Sequence, residues 1–310
     1  MNGYDALRLG AALLDLSQRT KIIATGEDRA RLLHAMTTNH VTQLQPGTGC
    51  YAFFLSAQGR ILSDVNLICR PDDFLLDAEP EVREKLFKHL DGFIIADDVT
   101  LEDATSRLAA IALEGPRAAN ILETLGAPVP QNEYDNIAWN GQLVVRISYT
   151  AGPGFFVIGP VESRNSLIQA LESAGAVAAD LEAFRTVRIE NGRPRYGEDI
   201  GERFLAQETN QARAVHFQKG CYLGQEIVER VRSRGQIHRL LVPLHIDGVE
   251  PPEPGTKLHV GEAIAGEITS ACLSPALGKV AALGYIRVDH AKPGDELSIG
   301  ERRARVTRGV

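Results

Sequence analysis

The sequence contains no apolar run of the roughly 20 residues that a membrane-spanning helix requires. It also has few cysteines: Cys50, Cys69, Cys221 and Cys272 lie far apart and form no CxxC pair. We therefore expect neither a zinc site nor a disulfide framework, and reduced thiols in a cytoplasmic protein fit this spacing best. The N-terminus lacks a basic region and a small-residue cleavage site, so it predicts neither a secretory signal nor a transit peptide.

Common catalytic and nucleotide-binding motifs are missing as well. The sequence has no GxGxxG, no GxxxxGK, no HExxH and no GxSxG pattern. Its formal charge is −7, from 33 basic against 40 acidic residues. That balance argues against a surface built to bind nucleic acid, and we expect direct contact with neither nucleic acid nor a membrane. The 310 residues suffice for two or three structural units whose cores need no metal.

Short apolar runs separated by tight turns dominate the first three quarters of the chain. The runs Cys50–Leu55 and Ile61–Cys69, joined by Ser56-Ala57-Gln58-Gly59, are typical of a β-hairpin. A similar pattern of strands and helices recurs from about residue 108 to residue 190. Because the links between strands are short turns, an antiparallel α+β body is favoured over a parallel doubly wound sheet.

The pattern of the sequence changes near residues 235–240. Beyond this point, short β-rich runs are separated by glycine and proline, and no helix of useful length fits. We expect two units: an α+β body at residues 1–237, with two intertwined lobes, and a C-terminal β-barrel at residues 238–310.

A basic segment precedes this boundary. Residues 209–240 carry six basic residues against two acids in a protein that is acidic overall. One interpretation is a solvated helix in which Glu226 and Arg230 form an i,i+4 pair. The other is a site for an anionic small molecule, in which guanidinium groups bind carboxylates.

Cys221 lies in this segment, within Lys219-Gly220-Cys221-Tyr222-Leu223-Gly224-Gln225-Glu226. A helix is predicted from Gln225, so Cys221 would lie just before a helix N-terminus and close to Lys219. Both features favour the nucleophilic thiolate. The alternative is a buried cysteine that acts as a small hydrophobic residue.

The stretch KGCYLGQEIVER, residues 219–230, resembles the signature of the folate-binding YgfZ family, which is related to the glycine-cleavage T-protein and to mitochondrial iron–sulfur assembly factors. Three further stretches, at residues 23–67, 187–199 and 266–284, resemble other parts of that family. The resemblance implies antiparallel, ferredoxin-like lobes around a central cavity that holds tetrahydrofolate or a derivative, followed by the barrel.

The resemblance also implies roles for particular residues. Cys221 would be the essential group, Lys219 would tune it, and Asp64 would assist methylene transfer. Glu190, in the last turn of a predicted helix, would accept hydrogen bonds from the pterin; without the resemblance, an ordinary exposed glutamate is the simpler interpretation. The remaining implied cofactor contacts are Gly220, Tyr222, Gly224, Gln225, Tyr149 and, for the glutamate tail, Arg230, Arg232 and Arg234.

Two departures from the T-protein pattern guide the choice of function. The paired acid of the T-protein is Ser63-Asp64 here, and its Tyr-Thr-Gly-Glu-Asp-Gly segment is Tyr149-Thr150-Ala151-Gly152-Pro153-Gly154. These differences favour an accessory factor for assembly or repair of iron–sulfur proteins, including tRNA-modifying enzymes, with client proteins or assembly factors as partners. The alternatives are a folate-dependent aminomethyltransferase and a non-catalytic folate-binding scaffold.

Overall fold

A computed structural model describes residues 1–235 and 237–308, except for the side chain of Arg234. Helices and strands alternate through the body of the protein. The helices are α1 (Gly3–Leu9), α2 (Arg29–Met36), α3 (Arg83–Asp91), α4 (Ala118–Thr124), α5 (Arg164–Ser173), α6 (Leu181–Glu190) and α7 (Gln225–Arg234). The strands of the body are β1 (Ala12–Asp15), β2 (Thr20–Thr25), β3 (Gly49–Leu55), β4 (Ile61–Cys69), β5 (Phe74–Ala78), β6 (Thr100–Asp103), β7 (Leu108–Glu114), β8 (Asn136–Trp139), β9 (Gln142–Val145), β10 (Gly154–Pro160) and β11 (Val177–Ala178).

These strands form two sheets. One has the order β3-β4-β5-β2-β6, and the other has the order β11-β1-β7-β10-β9-β8. Every neighbouring pair is antiparallel except β1 with β11. β1 pairs with β7 in the second sheet, whereas β2 belongs to the first. The chain therefore passes from one lobe to the other between β1 and β2. A continuous apolar core lies between the sheets and includes Phe53, Phe54 and Phe156, all buried.

The last strands close into a barrel with the order β12-β15-β14-β13-β16-β17. They are β12 (Arg239–Ile246), β13 (Lys257–Val260), β14 (Ala263–Ser274), β15 (Lys279–Arg287), β16 (Glu296–Ile299) and β17 (Arg302–Val306). The predicted α+β class with a C-terminal barrel is confirmed. None of the helices in the described part of the chain is long and apolar enough to cross a membrane.

Buried polar bonds hold the barrel against the body. The carboxylate of Asp199, which is fully buried, accepts hydrogen bonds from the hydroxyls of Thr269 and Ser270 on β14, at 2.5 and 2.7 Å. Tyr285 on β15 donates to the backbone carbonyl of Asp199 at 3.0 Å, and its ring stacks on Phe204 with centroids 3.8 Å apart. The segment after α6 is therefore fixed from the barrel side.

Candidate functional site

A small polar cavity lies between the two sheets, closed on one side by α6 and the loop that follows it. Its volume is about 40 Å³. We call it the central cavity, and its lining residues are Arg19, Tyr51, Asp64, Asn66, Glu79, Ile147, Ser148, Tyr149, Phe156, Arg188, Arg193, Pro194 and Arg195. Two of the residues predicted from the sequence, Asp64 and Tyr149, are brought together here.

Asp64 is held by a neighbouring tyrosine on the same sheet. Tyr51 on β3 donates its hydroxyl hydrogen to Oδ2 of Asp64 on β4 at 2.8 Å. Burial, reinforced by the charge of Glu79, raises the pKa of the Asp64 carboxyl to about 6. Burial also keeps the Tyr51 hydroxyl protonated, because its pKa lies well above the ordinary value. Oδ1 of Asp64 has no hydrogen-bond partner among the described residues, so it is available to a ligand.

Ion pairs form the floor of the central cavity. Arg19 is buried and binds Asp77 through Nε and Nη2, and it also pairs with Glu79. Although burial disfavours its charge, these two carboxylates raise the pKa of Arg19 above its usual value. Arg195 reaches Glu79 from the opposite wall at 2.8 Å. A fully paired network of this kind fixes the side chains that surround Asp64.

Helix α6 directs Arg188, rather than Glu190, into the central cavity. Arg188 is buried, and its Nη1 donates to Asp199 at 2.8 Å. Glu190 is also buried, but it is not among the cavity-lining residues. Residues two apart on a helix point about 200° apart, so the two side chains cannot share one wall.

The Glu190 carboxylate faces α1 and the barrel instead. Its Oε1 accepts hydrogen bonds from Tyr4, at 2.7 Å, and from Ser274, and its Oε2 lies 3.5 Å from Arg8. Protein donors therefore occupy Oε1, whereas the buried Oε2 accepts no hydrogen bond from the described residues. The predicted contact of Glu190 with the pterin stays a prediction.

An open depression adjoins the central cavity. It has a volume of about 290 Å³ and shares Ile147, Ser148 and Arg193 with the central cavity. We call it the vestibule; its other lining residues are Glu133, Arg146, Ala151, Gly152, Pro153, Gly154 and Arg213. A larger cleft of about 670 Å³ lies beside β8 and β9, and none of the predicted site residues with a described side chain lines it.

Lys219 lies away from the central cavity, at the end of α2. It is buried, and its Nζ donates to the backbone carbonyls of His34 and Thr37, and to that of Asn39 at 2.9 Å. The last carbonyls of a helix lack partners within the helix, and an ammonium group has three donors to offer them. Burial lowers the pKa of Lys219 to about 7. These inward contacts give Lys219 a structural role. Its predicted effect on the reactivity of Cys221 stays a prediction.

Cys221 is exposed on the loop that leads into α7, and it lines neither the central cavity nor the vestibule. The loop is tightly packed. Gly224 has a φ of +83°, and a Cβ there would lie 2.6 Å from the carbonyl oxygen of Ser56 in the β3–β4 turn. Tyr222 is buried with Lys219 Nζ 4.8 Å from its ring centre, and Gln225 begins α7.

The other predicted residues of this segment whose side chains the structure describes also lie outside the two cavities. Gly220 and Arg230 are exposed, and Arg232 pairs with Glu229 at 3.4 Å. The side chain of Arg234 lies outside what the structure describes. The described residues of the KGCYLGQE stretch therefore form a separate surface, and their predicted cofactor contacts stay predictions.

Sequence reasoning missed most of the cavity lining. Tyr51, Arg19 and Arg188 come from a strand, a turn and a helix that only the tertiary structure brings together. The sequence did contain one signal for the cavity lining. The stretch VRIENGRPR, residues 187–195, contains three arginines, Arg188, Arg193 and Arg195, but only Glu190 was predicted there as a site residue.

Comparison with known proteins supports the family assignment. Residues 2–219 match the model of the GCVT N-terminal domain, and residues 239–309 match the glycine cleavage T-protein C-terminal barrel domain. The chain therefore belongs to the glycine cleavage T-protein family. Tetrahydrofolate is the cofactor of the aminomethyltransferases in this family.

Individual relatives agree with this assignment. The chain is similar to the aminomethyltransferase of Rubrobacter xylanophilus, with 31% identity over 96% of this chain and 82% of the relative. The aminomethyltransferase of Streptomyces coelicolor is 30% identical over 94% of this chain and 82% of its own length. The crystal structure of glycine cleavage system aminomethyltransferase T from Bartonella henselae superposes with a TM-score of 0.90, covering 99% of this chain and 88% of that chain at 22% identity. That similarity shows a shared fold.

Proposed function

We propose that this protein binds tetrahydrofolate and transfers a one-carbon unit, with Asp64 as the proton-transfer group. The observation that carries the proposal is the Asp64 carboxyl in the central cavity, with a hydroxyl donor on one oxygen and a pKa raised to about 6. A group that titrates near neutral pH both accepts and releases a proton efficiently. The similarity to aminomethyltransferases supports this activity over the iron–sulfur role that the sequence favoured.

The polar groups of the cavity fit a pterin, but the cavity is too small to hold one unless a side chain moves. Carboxylates, guanidinium groups and a tyrosine hydroxyl match the donors and acceptors at a pterin edge. A space of about 40 Å³ holds little more than a water molecule, whereas the adjoining vestibule has about 290 Å³. Arg193 lines both spaces, and in this proposal its side chain moves aside when the pterin binds.

When bound, tetrahydrofolate supplies two amine nitrogens, one in the reduced ring and one next to it, that accept a one-carbon unit and lose their protons. In this proposal Asp64 accepts one of these protons and donates it to the departing amine. Tyr51 keeps its hydrogen and holds Oδ2 of Asp64, which leaves Oδ1 to face the ligand. Asp77 and Glu79 compensate the charge of Arg19, so Arg19 fixes the floor of the cavity without adding positive charge.

A folate titration combined with a turnover assay tests this proposal. We expect Asp64→Asn to bind tetrahydrofolate in calorimetry but to lower folate-dependent turnover of an aminomethyl donor by about 10²–10⁴-fold. Exposed Asp72 provides the matched control, because Asp72→Asn removes a carboxylate that does not line the cavity. Equal turnover by Asp64→Asn and the parent protein would contradict the role of Asp64.

Glu190 is tested in the same titration. If it holds the pterin, Glu190→Gln should weaken folate binding by about 1–3 kcal/mol, through loss of a charge-assisted pair. Unchanged affinity, together with a lower melting temperature, would assign Glu190 to the contact with Tyr4 and Arg8 alone.

A second candidate function rests on Cys221. Its thiol is exposed, on a loop that Lys219 and Gly224 fix to the body of the protein. This arrangement, with the KGCYLGQE resemblance, supports a role in assembly or repair of iron–sulfur proteins through contact with client proteins or assembly factors, in the cytoplasm and without direct binding to nucleic acid. A non-catalytic folate-binding scaffold is the remaining alternative.

Complementation separates these candidates. In cells depleted of the protein, Cys221→Ser should fail to restore iron–sulfur enzyme activities while leaving folate binding intact. Full rescue by Cys221→Ser, with loss of rescue by Asp64→Asn, would favour the transferase. Full rescue by both variants would favour the scaffold.

A further inference from the structure

Strand β3, which carries Tyr51, lies at the edge of its sheet, and the residues after α2 complete its outward hydrogen bonds. The N–H of Thr38 donates to the carbonyl of Phe53 at 3.0 Å, and Oγ1 of Thr38 accepts from the N–H of Phe53 at 2.9 Å. The side-chain amide of Asn39 donates to the carbonyl of Tyr51 at 2.8 Å. These contacts pair backbone groups that an edge strand otherwise leaves open, so they fix β3.

The amide of Asn39 makes a second bond of the same kind. Its Nδ2 also donates to the carbonyl of Arg213 at 2.9 Å, so one side chain joins the backbones of Tyr51 and Arg213. An amide nitrogen has two hydrogens, and both are used here. Asn39 is held in turn, because Nζ of Lys219 donates to its backbone carbonyl at 2.9 Å. Asn39 therefore connects β3 to the start of the KGCYLGQE stretch.

Arg213 also contacts the ring of Tyr51. Its guanidinium carbon lies 4.4 Å from the ring centre, whereas that of Arg193 lies 5.8 Å from it. Glu133 pairs with the guanidinium of Arg213 and helps to keep it in place. A cation is attracted to the face of a tyrosine ring, and the attraction is stronger where water is excluded. Since Tyr51 is buried, Arg213 holds its ring while Asn39 holds its backbone.

Tyr51 passes this constraint on to Asp64. Its hydroxyl donates to Oδ2 of Asp64 at 2.8 Å. The ring of a tyrosine is placed by only two side-chain dihedral angles, so fixing its backbone and its ring also fixes the position of its hydroxyl. Neither Asn39 nor Arg213 lines the central cavity. Their effect on Asp64 therefore passes through Tyr51.

We infer that Asn39 and Arg213 are positioning residues for Asp64. By fixing Tyr51, they keep its hydroxyl on Oδ2 and leave Oδ1 free to accept and release the proton of the reaction. This inference rests on the proposed folate function. It also gives the buried ammonium of Lys219 a second effect, because the group that closes the end of α2 holds the residue that holds Tyr51.

Titration of the Asp64 carboxyl by carbon-13 NMR tests the inference without any turnover. Asn39→Ala removes both amide bonds and changes no charge. The hydrogen bond from Tyr51 favours the ionised carboxyl, so a less firmly held Tyr51 should raise the midpoint by a fraction of the roughly one-unit rise expected for Tyr51→Phe. The other titratable and charged groups of the cavity are the same in parent and variant: Arg19, Glu79, Tyr149, Arg188, Arg193 and Arg195.

Further variants separate positioning from a general loss of structure. In the double variant Tyr51→Phe, Asn39→Ala, the midpoint should equal that of Tyr51→Phe alone, because the hydroxyl through which Asn39 acts is absent. In the folate-dependent turnover assay, Asn39→Ala should lower kcat by about tenfold with little change in KM. Arg213→Lys should retain more of kcat than Arg213→Met, because an ammonium can still lie over the ring.

Asn136→Ala is the matched control. Nδ2 of Asn136 also donates to two backbone carbonyls, those of Thr48 at 2.9 Å and Tyr134 at 3.3 Å, and Asn136 lines neither the central cavity nor the vestibule. This variant should lose stability but keep the parent's midpoint for Asp64. Melting curves establish that each variant is folded. If Asn39→Ala does not fold, Arg213→Met carries the same test, because it leaves the backbone bonds in place.

Two results would overturn the inference while the proposed folate function stands. One is a midpoint of Asp64 that is unchanged in Asn39→Ala and in Arg213→Met. The other is a double variant whose midpoint rises above that of Tyr51→Phe, because Asn39 would then act on Asp64 by another route. A parent protein without folate-dependent turnover would remove the proposed function, whereas the titration would still decide whether Asn39 and Arg213 position the carboxyl.

Discussion

The substitution Asp64→Asn should stabilise the protein while it lowers turnover. The folded structure raises the pKa of Asp64 from 3.8 to about 6, so the carboxyl is easier to bury protonated than ionised. Each pKa unit corresponds to about 1.4 kcal/mol, which gives an upper limit of about 3 kcal/mol at neutral pH. Because the carboxylate borders a cavity that admits solvent, we expect about 1–2 kcal/mol.

The pH dependence has a definite sign. A raised carboxyl pKa contributes stability that is fully present below about pH 4 and is lost as the pH rises towards 6. Asparagine does not ionise, and its side-chain oxygen can still accept the hydrogen bond from Tyr51. The variant should therefore exceed the parent in free energy of unfolding at about pH 8 and match it near pH 4.

Urea unfolding at several pH values measures this difference, with Asp72→Asn as the control for loss of a surface charge. The control should show no pH-dependent gain of this size, because Asp72 is exposed. A parent protein that is as stable as Asp64→Asn at pH 8, or more stable, would show that the cavity favours the ionised carboxylate. The argument for a neutral-pH acid and base at this position would then fail.

Other substitutions and labelling experiments give further expected outcomes. Tyr51→Phe removes the donor that favours ionised Asp64, so the midpoint of the pH–rate profile should rise by about one unit. Lys219→Met leaves the carbonyls at the end of α2 without their ammonium partner and should lower the free energy of unfolding by about 2 kcal/mol, measured by urea unfolding; an unchanged value would contradict this structural role. In graded alkylation followed by mass spectrometry, Cys221 should label first, since it is exposed, whereas Cys50 is half-buried and desolvation raises its pKa to about 12; earlier labelling of Cys50 would contradict this order of reactivity.

The arrangement of secondary structure was largely predictable because it depends on local pattern. Ile61–Cys69 was predicted with its observed bounds, and the absence of long helices after residue 238 predicted the barrel. The short β1 was missed, because a four-residue apolar run carries little periodicity of its own. Its place in the second sheet depends on pairing with β7, about 100 residues later in the chain.

The candidate site was predictable only in part, and the reason lies in helix geometry and burial. Asp64 was identified through its place in a family motif, and it does lie in the central cavity. Glu190 and Arg188 stand two residues apart in the same stretch, and the sequence cannot say which of them faces the cavity. The orientation of α6 between the sheets and the barrel places Arg188, and not Glu190, in the cavity lining.

By itself, the sequence determined the family, the division into strands, helices and turns, and the presence of one acid where a T-protein has two. These properties follow from local composition and motif spacing. Only the tertiary structure decided that Lys219 closes the end of α2, that Cys221 lies apart from the cavity, and that Arg193 lines both the central cavity and the vestibule. Each of these depends on contacts between residues far apart in the chain, whose burial and partners are set only when the two sheets and the barrel pack together.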